Sequence, residues 1–382
     1  MVTSATIIDA DVVVPGVRSW QRSDAITRSS ALRIHCIQPL KDPRWDNFLS
    51  WHPRASVFHS SAWLKALNQT YGYEPIAYTT SSAADDLKDA VVFCRVNSWL
   101  TGRRLVSLPF SDHCEPLIDS PHLDLIVASI IEREIRQQHC RYAEMRPLCG
   151  LELRAPLHRT TVRYAFHQLD LEPELATIFR NFHRDSIQRK IRRSEREGLI
   201  YREGVGQDLL EQFYGLFTQT RAKHRVPAQP KQWFVNLIEC FADALKIRVA
   251  YKEDRAIAAM LTLRHKDTLV YKYGCSDPTF NNLGSMHLLY WRAIQDAKAM
   301  GLGYFDLGRT DADQKGLITF KNRWGAAQSD LMYARYSASK NATHFFDLSI
   351  RNTKTSIAKY VLSCMPTDLV SKLGHMLYRH VG

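Results

Sequence analysis

The sequence predicts a mixed α/β fold (α/β with α+β character) of two tandem domains with a central cleft, plus a C-terminal helical tail. Three observations lead to this prediction. One order of strands and helices reads twice along the chain, and 382 residues fit two domains better than one. A hydrophobic fraction of 45% also indicates sizeable buried cores. We expect a loose leader at residues 1–30, domains at 31–161 and 162–340, and a tail at 341–382 that packs on the first domain.

Apolar alternation and turn residues place the elements of the first half. A strand is followed by two helices and three strands, and a polar loop, a helix and a final strand complete the half. In chain order these elements span residues 32–37, 43–50, 60–71, 74–79, 89–96, 104–108, 109–120, 123–139 and 142–146.

The second half repeats this order after a strand and a basic helical stretch. Two helices and three strands precede a polar loop, and a helix ending before Gly301 and two final strands follow. In chain order the elements up to the polar loop span residues 162–169, 174–197, 208–223, 231–244, 247–251, 256–263, 269–275 and 276–283, and the two final strands span 303–307 and 330–337. We expect a ligand to bind between the two halves.

The net charge of the chain favours acidic binding partners but does not identify which kind. The formal net charge of +12 favours nucleic acid, nucleotide phosphates or an anionic membrane surface. The eight cysteines show no metal-binding spacing, so we expect no metal site and a reducing, cytoplasmic setting. No apolar run of 18 residues is present, and the N-terminus does not read as a secretion signal. The tail mixes apolar and basic residues, so either packing or peripheral contact with the inner membrane face remains open.

The strongest candidate for chemistry follows the strand at 303–307. This strand is expected to end at Gly308 in a polar loop, and a one-turn helix then carries Phe320 and Lys321. Reactive groups often lie where a strand ends at the open edge of a sheet. We predict that Lys321 stabilises an oxyanion or holds a phosphate, with a plain surface lysine as the alternative.

Asp306 is the second predicted catalytic residue. Its carboxylate would orient or deprotonate an attacking amine. An ion pair between Asp306 and Arg309 is the alternative, and Arg309 is also a candidate for binding substrate.

Two neighbouring segments add binding candidates. Tyr271 and Tyr273 alternate on a strand, so we expect them to share a face, either toward a ligand or in the core. Asn281, Gly284 and Ser285 precede a helix, where backbone N–H groups and the helix dipole could hold a phosphate.

A basic helix offers charge to a polyanion. Residues 189, 192, 193 and 196 fall on one helical face, and we predict phosphate or tRNA contacts that include Lys190 and Arg193. A solvated basic face is the alternative. In the first half, Asp112 and His113 are candidates for substrate binding or a tuned base, against a hydrogen-bonded loop.

These segments resemble the FemAB-like branch of the GNAT acyltransferase superfamily, in its peptidoglycan-bridge and exopolysaccharide-associated members. The resemblance covers roughly residues 31–382. It rests on Tyr271-Lys-Tyr-Gly, the loop and helix from Asn281, Phe305-Asp-Leu-Gly-Arg309 and Phe320-Lys-x-x-Trp324-Gly325. The superfamily's coenzyme A loop, Gln/Arg-x-x-Gly-x-Gly/Ala, reads Asn281-x-x-Gly284-x-Met286 here, and the long coiled-coil insertion of some members is missing.

The resemblance implies two tandem GNAT-like domains and transfer of an acyl or aminoacyl group to an amine of a cell-envelope precursor. The donor would be aminoacyl-tRNA or acyl-CoA, with no tightly bound cofactor. The acceptor would be a small or lipid-linked envelope precursor, and Phe320 and Trp324 would help to shape its site. An acyl-CoA-dependent N-acyltransferase of exopolysaccharide biosynthesis and a non-catalytic RNA- or membrane-binding module are the alternatives.

Overall fold

The computed structural model describes residues 7–14, 32–99, 101–224, 226–340 and 378–380. Its contacts divide the chain into two compact units. The first unit contains the described residues up to Val162 together with those from Met332 to Lys340, and the second contains the described residues within Arg163–Leu331 and residues 378–380.

The secondary structure follows the predicted order closely. The first part of the chain forms β1 (Ile7–Val14), β2 (Leu32–Ile37), α1 (Arg44–Trp51), α2 (Ser61–Tyr71), β3 (Glu74–Thr79), β4 (Val91–Ser98), β5 (Gly102–Val106), α3 (Leu123–Arg136) and β6 (Tyr142–Met145). The next part forms β7 (His158–Asp170), α4 (Leu175–Asn181), a π-helical turn (Arg184–Gln188), α5 (Arg189–Arg196), β8 (Ile200–Gly204), α6 (Gln207–Lys223) and α7 (Lys231–Phe241). The last part forms β9 (Leu245–Lys252), β10 (Arg255–His265), β11 (Thr268–Ser276), α8 (Ser285–Ala299), β12 (Tyr304–Asp311), α9 (Lys315–Arg323) and β13 (Ala327–Ser337). Short 3₁₀ turns lie at Val57–His59, Ala242–Ala244 and Pro278–Leu283.

The two units repeat one strand topology. The sheet order in the first unit is β1-β2-β3-β4-β5-β6-β13, and in the second unit it is β8-β9-β10-β11-β12-β7. From β2 and from β8, three antiparallel pairs are followed by one parallel pair and a last antiparallel pair. This match confirms the prediction that the topology occurs twice in a mixed α/β fold.

The parallel pair in each unit is joined by a crossover helix. α3 connects β5 to β6, and α8 connects β11 to β12, as a parallel pair requires. Both helices bury an apolar face spaced at three and four residues: Ile126, Val127, Ile130 and Ile131 in α3, and Leu289, Ala293, Ile294 and Ala297 in α8.

Two strands were not predicted. Ile7–Val14 form β1, which pairs with β2, so the expected loose leader contains a strand. β8 escaped prediction because none of its five residues is buried, and the alternation that marks a half-buried strand is missing. Main-chain pairing with β9 nevertheless places β8 at the edge of the sheet.

Three further expectations need correction. The basic helix at 174–197 is divided into α4, the π turn and α5. β12 continues through Gly308 to Asp311 instead of ending before it, and α9 has nine residues rather than one turn.

The predicted tail lies outside the described residues except for residues 378–380. There the Tyr378 hydroxyl donates to the Pro227 carbonyl (2.8 Å) and accepts from Arg221 (3.0 Å). Both partners belong to the second unit, whereas the tail was expected on the first domain.

Candidate functional site

The parallel pair of the second unit is open along half its length. β11 and β12 pair at only three positions: Thr268 with Tyr304, Leu269 with Phe305 and Val270 with Asp306. Both strands continue for at least five residues beyond the last pair, and this stretch is fully described. No ladder pair joins the two strands in this stretch, so their facing main-chain groups are candidates for binding a ligand's polar groups.

A β-bulge lies in β12 beside this opening. The register between β12 and β7 slips between Asp306 and Arg309, so that Leu307 and Gly308 face the single residue His167. Gly308 adopts a φ of +70°, which glycine tolerates best. The buried Asp306 carboxylate accepts a hydrogen bond from the Gly308 amide at 2.6 Å. Asp306 therefore supports the bulge.

Lys321 binds the same bulge from the other side. Its side chain is only 2% exposed, so the alternative of a surface lysine is wrong. The Nζ atom donates to the carbonyls of Gly308 (2.9 Å) and Arg309 (3.2 Å). A buried ammonium requires such acceptors. The structure thus brings both predicted catalytic residues together at Gly308.

Arg309 points to a different environment from the one expected. Its guanidinium stacks over the Tyr164 ring at 4.4 Å and lies 3.6 Å from the Asp311 carboxylate. The side chain is 31% exposed, so it remains accessible to an anionic substrate group.

His167 belongs to the site and was missed by the sequence interpretation. Its Nε2 atom lies 2.9 Å from the Asn322 Oδ1 atom, and its side chain is fully buried. Burial lowers the pKa of His167, and the positive charge of Lys321 lowers it further, so the imidazole is neutral near pH 7. A histidine within the apolar run of β7 was the available signal.

The Phe-Lys-x-x-Trp motif builds an aromatic cluster on α8. Trp324 is fully buried and stacks on Tyr290, with ring centroids 5.2 Å apart. Phe320 meets the rings of Tyr290 and His287 at 5.6 Å and stays partly exposed. Trp324 is therefore a core residue. Of these two aromatic residues, only Phe320 is exposed enough to contact an acceptor.

His287 completes this cluster as a neutral group. Burial and the charge of Lys190 lower its pKa to about 4, although the Ser186 main chain favours the protonated form. The ring stacks on Trp324 at 6.0 Å.

The prediction that Tyr271 and Tyr273 share a face is wrong. β11 pairs Tyr271 with Thr262 and Tyr273 with Leu261, so Lys272 is an extra residue in a bulge. Tyr271 packs on Tyr290 of α8. Tyr273 instead packs against Phe234 of α7, and its hydroxyl accepts from the Trp233 indole at 2.9 Å. One inserted residue reverses the alternation.

The predicted phosphate loop is packed against α5. Gly284 has a φ of +81°, and a Cβ atom there would lie 2.4 Å from the Lys190 carbonyl oxygen. Ser285 is buried, whereas Asn281 is exposed and accepts from Ser276 at 3.0 Å. A carbonyl with partial negative charge thus lies beside the start of α8.

The basic face of α5 remains open to solvent. Shallow depressions along it are lined by Arg189, Lys190, Arg192, Glu195 and Arg196, among others. The predicted contacts Lys190 and Arg193 already have partners: Lys190 Nζ donates to the Asn282 carbonyl at 3.1 Å, and Arg193 pairs with Glu197 at 3.3 Å.

Asp112 and His113 lie in the first unit. Cys114 beside them pairs with Arg146 of the β6 end, and the Tyr333 hydroxyl donates to the Asp112 carbonyl at 2.7 Å. These contacts fit the alternative interpretation of the segment, a hydrogen-bonded structural loop, better than a substrate-binding loop.

In the first unit, an acidic residue occupies the strand position that corresponds to Asp306 in the second unit. Glu144 pairs with Val106 as Asp306 pairs with Val270. Its carboxylate is neutralised by Arg335 (2.5 Å) and Arg146 (2.7 Å). The equivalent position is therefore filled by the protein's own cations.

Comparison with known proteins identifies a matching domain in the second unit. Residues 181–322 match the Acetyltransferase (GNAT) domain, which spans α5, the open strand pair, the bulge and Lys321. No curated protein sequence matches the chain. Within the part of the chain that the structure describes, no helix is long and apolar enough to cross a membrane.

Solved structures match over most of the chain. The crystal structure of FemX aligns with a TM-score of 0.56 at 12% identity, covering 75% of this chain and 94% of FemX. The C-terminal domain of a putative lysylphosphatidylglycerol synthetase from Agrobacterium fabrum aligns with a TM-score of 0.50 at 12% identity, covering 80% and 93%. Residues 181–322 thus carry a GNAT acetyltransferase domain, the chain shares the fold of FemX, and it is an acyltransferase.

Proposed function

We propose that the protein transfers an aminoacyl group from aminoacyl-tRNA to an amino group of a cell-envelope precursor. The observation that carries the proposal is the open β11–β12 pair, with Asp306 and Lys321 meeting at the Gly308 bulge. The name of one structural neighbour, a putative lysylphosphatidylglycerol synthetase, supports transfer of an aminoacyl group.

In the proposed reaction the acceptor nitrogen attacks the ester carbonyl carbon of the donor. A C–N bond forms, the C–O bond to the ribose breaks, and the proton lost by nitrogen passes to the leaving oxygen. Lys321 supplies positive charge where the oxyanion develops. Asp306 keeps the bulge in place, and Arg309 and Phe320 contact the acceptor.

The packing of Gly284 supports tRNA over coenzyme A as the donor. The Lys190 carbonyl packs against Gly284 and leaves little room for a pyrophosphate at the start of α8. The exposed arginines of α5 offer cations to single phosphates along a nucleic-acid backbone instead.

An acyl-CoA-dependent N-acyltransferase acting on exopolysaccharide precursors is the second candidate. The match of residues 181–322 to an acetyltransferase domain is the observation in its favour. The two candidates share the chemistry at the bulge and differ in the donor and in the class of acceptor.

A donor-exchange experiment separates them. The protein is incubated with a muramyl-peptide lipid precursor and either tRNA charged with radiolabelled amino acids or radiolabelled acetyl-CoA. We expect label in the lipid fraction only with charged tRNA, and less label with Lys321→Met. Label from acetyl-CoA alone would favour acyl-CoA as the donor, and no label from either donor would contradict the muramyl-peptide acceptor.

A further inference from the structure

The hairpin between β4 and β5 carries an unusually exposed tryptophan. The Trp99 side chain is 82% exposed, more than any other large apolar side chain described. The hairpin is nevertheless well formed, because Ser98 pairs with Gly102 and the Thr101 amide donates to the Ser98 hydroxyl at 2.9 Å. The Trp99 indole is thus exposed to water beside a paired strand end, and solvation of its apolar area has a cost.

Two arginines, Arg103 and Arg141, lie beside this turn. The Arg141 amide donates to the Arg103 carbonyl at 2.8 Å, and its guanidinium lies 3.5 Å from the Thr101 carbonyl. Arg103 and Arg141 are both exposed. Neither stretch 96–104 nor stretch 135–143 contains an acidic residue.

The acidic residues just before the stretch 135–143 in sequence are already paired. Glu134 is buried and pairs with Arg95 at 3.1 Å, and Glu132 pairs with Arg136 at 2.8 Å. Within the described residues, Trp99 is therefore flanked by two exposed arginines that have no acidic partner among the residues beside them in sequence.

We propose that this turn docks the protein on an anionic lipid bilayer surface. An indole is amphipathic and partitions to the membrane–water interface, where its ring meets acyl chains and its N–H stays hydrated. The two arginines are attracted to anionic headgroups at the same depth. This contact is separate from the acyl-transfer site and from the predicted tail contact, and it does not depend on the donor.

Vesicle flotation of the full chain tests the proposal. We expect binding to equimolar phosphatidylcholine–phosphatidylglycerol vesicles and little binding to phosphatidylcholine alone. Trp99→Ser should weaken the binding about tenfold, because the anchoring ring is lost. Arg103→Gln and Arg141→Gln should each weaken it about fivefold at low salt.

Matched controls are available in the same unit. Trp51 is 53% exposed and Lys65 is exposed, so Trp51→Ser and Lys65→Gln repeat the chemical changes elsewhere. Both should bind like the parent. Brominated phospholipid should quench parent fluorescence more than that of Trp99→Ser, and circular dichroism confirms that each variant is folded.

Equal vesicle binding by the parent and folded Trp99→Ser would overturn the proposal, as would no binding at all. A change in oligomeric state on Trp99→Ser, measured by light scattering without vesicle binding, would assign the turn to self-association. Loss of vesicle binding in Trp99→Ser with normal donor transfer to a detergent-dispersed acceptor would separate docking from catalysis.

Discussion

Gly308 is the residue on which the proposed chemistry converges. Its amide is held by Asp306 and its carbonyl by Lys321, so a short bulge is fixed from two elements. Replacing either side chain affects the position of the main chain at the opening as well as any direct role in the reaction.

We expect Lys321→Met to lower kcat by about a hundredfold or more, because the charge at the developing oxyanion is lost. KM for the acceptor should change little. The two bulge carbonyls also lose a donor, so the free energy of unfolding should fall by about 1–3 kcal/mol. Steady-state kinetics and urea unfolding measure the two effects.

Lys315→Met on the same helix is the control, since Lys315 is exposed. It should leave both quantities near parent values. A folded Lys321→Met with normal kcat and a raised KM would instead assign the lysine to a substrate phosphate. Normal values of both constants would remove it from the site.

The tyrosine pair gives a second test. Tyr273→Phe removes the acceptor of the Trp233 indole, so we expect a loss of about 1 kcal/mol in unfolding free energy and an unchanged kcat/KM. Tyr271→Phe keeps the ring on Tyr290 and serves as the matched hydroxyl deletion. A fall in kcat/KM with Tyr273→Phe would contradict the assignment of this residue to the core.

For single residues, the sequence indicated which side chains lie near Gly308 better than it indicated which face of a strand each side chain occupies. The strand and motif around 303–325 identified Asp306 and Lys321, and the structure joins them at one glycine. The faces of Tyr271 and Tyr273 could not be predicted, because a one-residue bulge has no local signature at Lys272. His167 was missed because an isolated histidine in an apolar strand usually belongs to the core.

Among the elements, α5 packs closely against the start of α8. We expect Gly284→Ala to lower the unfolding free energy by about 2–4 kcal/mol, because a methyl group would collide with a backbone carbonyl. Gly301→Ala is the matched control. Gly301 also has a positive φ, of +73°, but nothing lies within 4 Å, so only about 1 kcal/mol of strain is expected. Equal losses, measured by denaturant unfolding, would show that contact with α5 is not limiting.

The exposed face of α5 predicts salt-dependent binding of tRNA. Arg189→Glu combined with Arg196→Glu should weaken tRNA binding and reduce the slope of log K against log salt concentration by about 2. Stability should change little, because exposed charges contribute weakly. Arg33→Glu with Lys65→Glu makes the same charge change in the first unit and should bind normally. Filter binding across a salt series measures both, and an unchanged slope would identify a solvated face.

Most elements could be predicted because their apolar residues recur at helical or strand spacing. β3 was predicted to the residue, at 74–79. Strand β8 was missed because none of its residues is buried. The break in the basic helix was missed because it is a π turn, which depends on main-chain geometry rather than on composition.

At the scale of the whole molecule, buried carboxylates paired with arginines link stability to pH. Burial would raise the pKa of Glu144, but Arg335 and Arg146 outweigh it and hold the pKa at about 2, below the ordinary 4.5. The folded state therefore binds fewer protons than the unfolded state. Stability is present above pH 4.5 and is lost as the pH falls toward 2, by on the order of 3 kcal/mol.

Urea unfolding at several pH values should show this slope, and Glu144→Gln should flatten it. Glu239→Gln, at an exposed position, should leave the slope unchanged. An identical slope in the parent and Glu144→Gln would mean that other carboxylates govern acid unfolding. Glu203 is the first such candidate: Lys246, Tyr201 and Arg248 outweigh its burial and hold its pKa at about 2.

The origin of β13 sets an order of events during synthesis. The first unit takes this strand from residues 332–337, where Ala334 pairs with Met145, nearly two hundred positions back along the chain. The strands of the second unit, β7 to β12, are contiguous in sequence. A growing chain can therefore complete the second sheet before the first, even though the first emerges earlier. Until β13 leaves the ribosome, β6 is an unprotected sheet edge, which makes early chain termination an aggregation hazard.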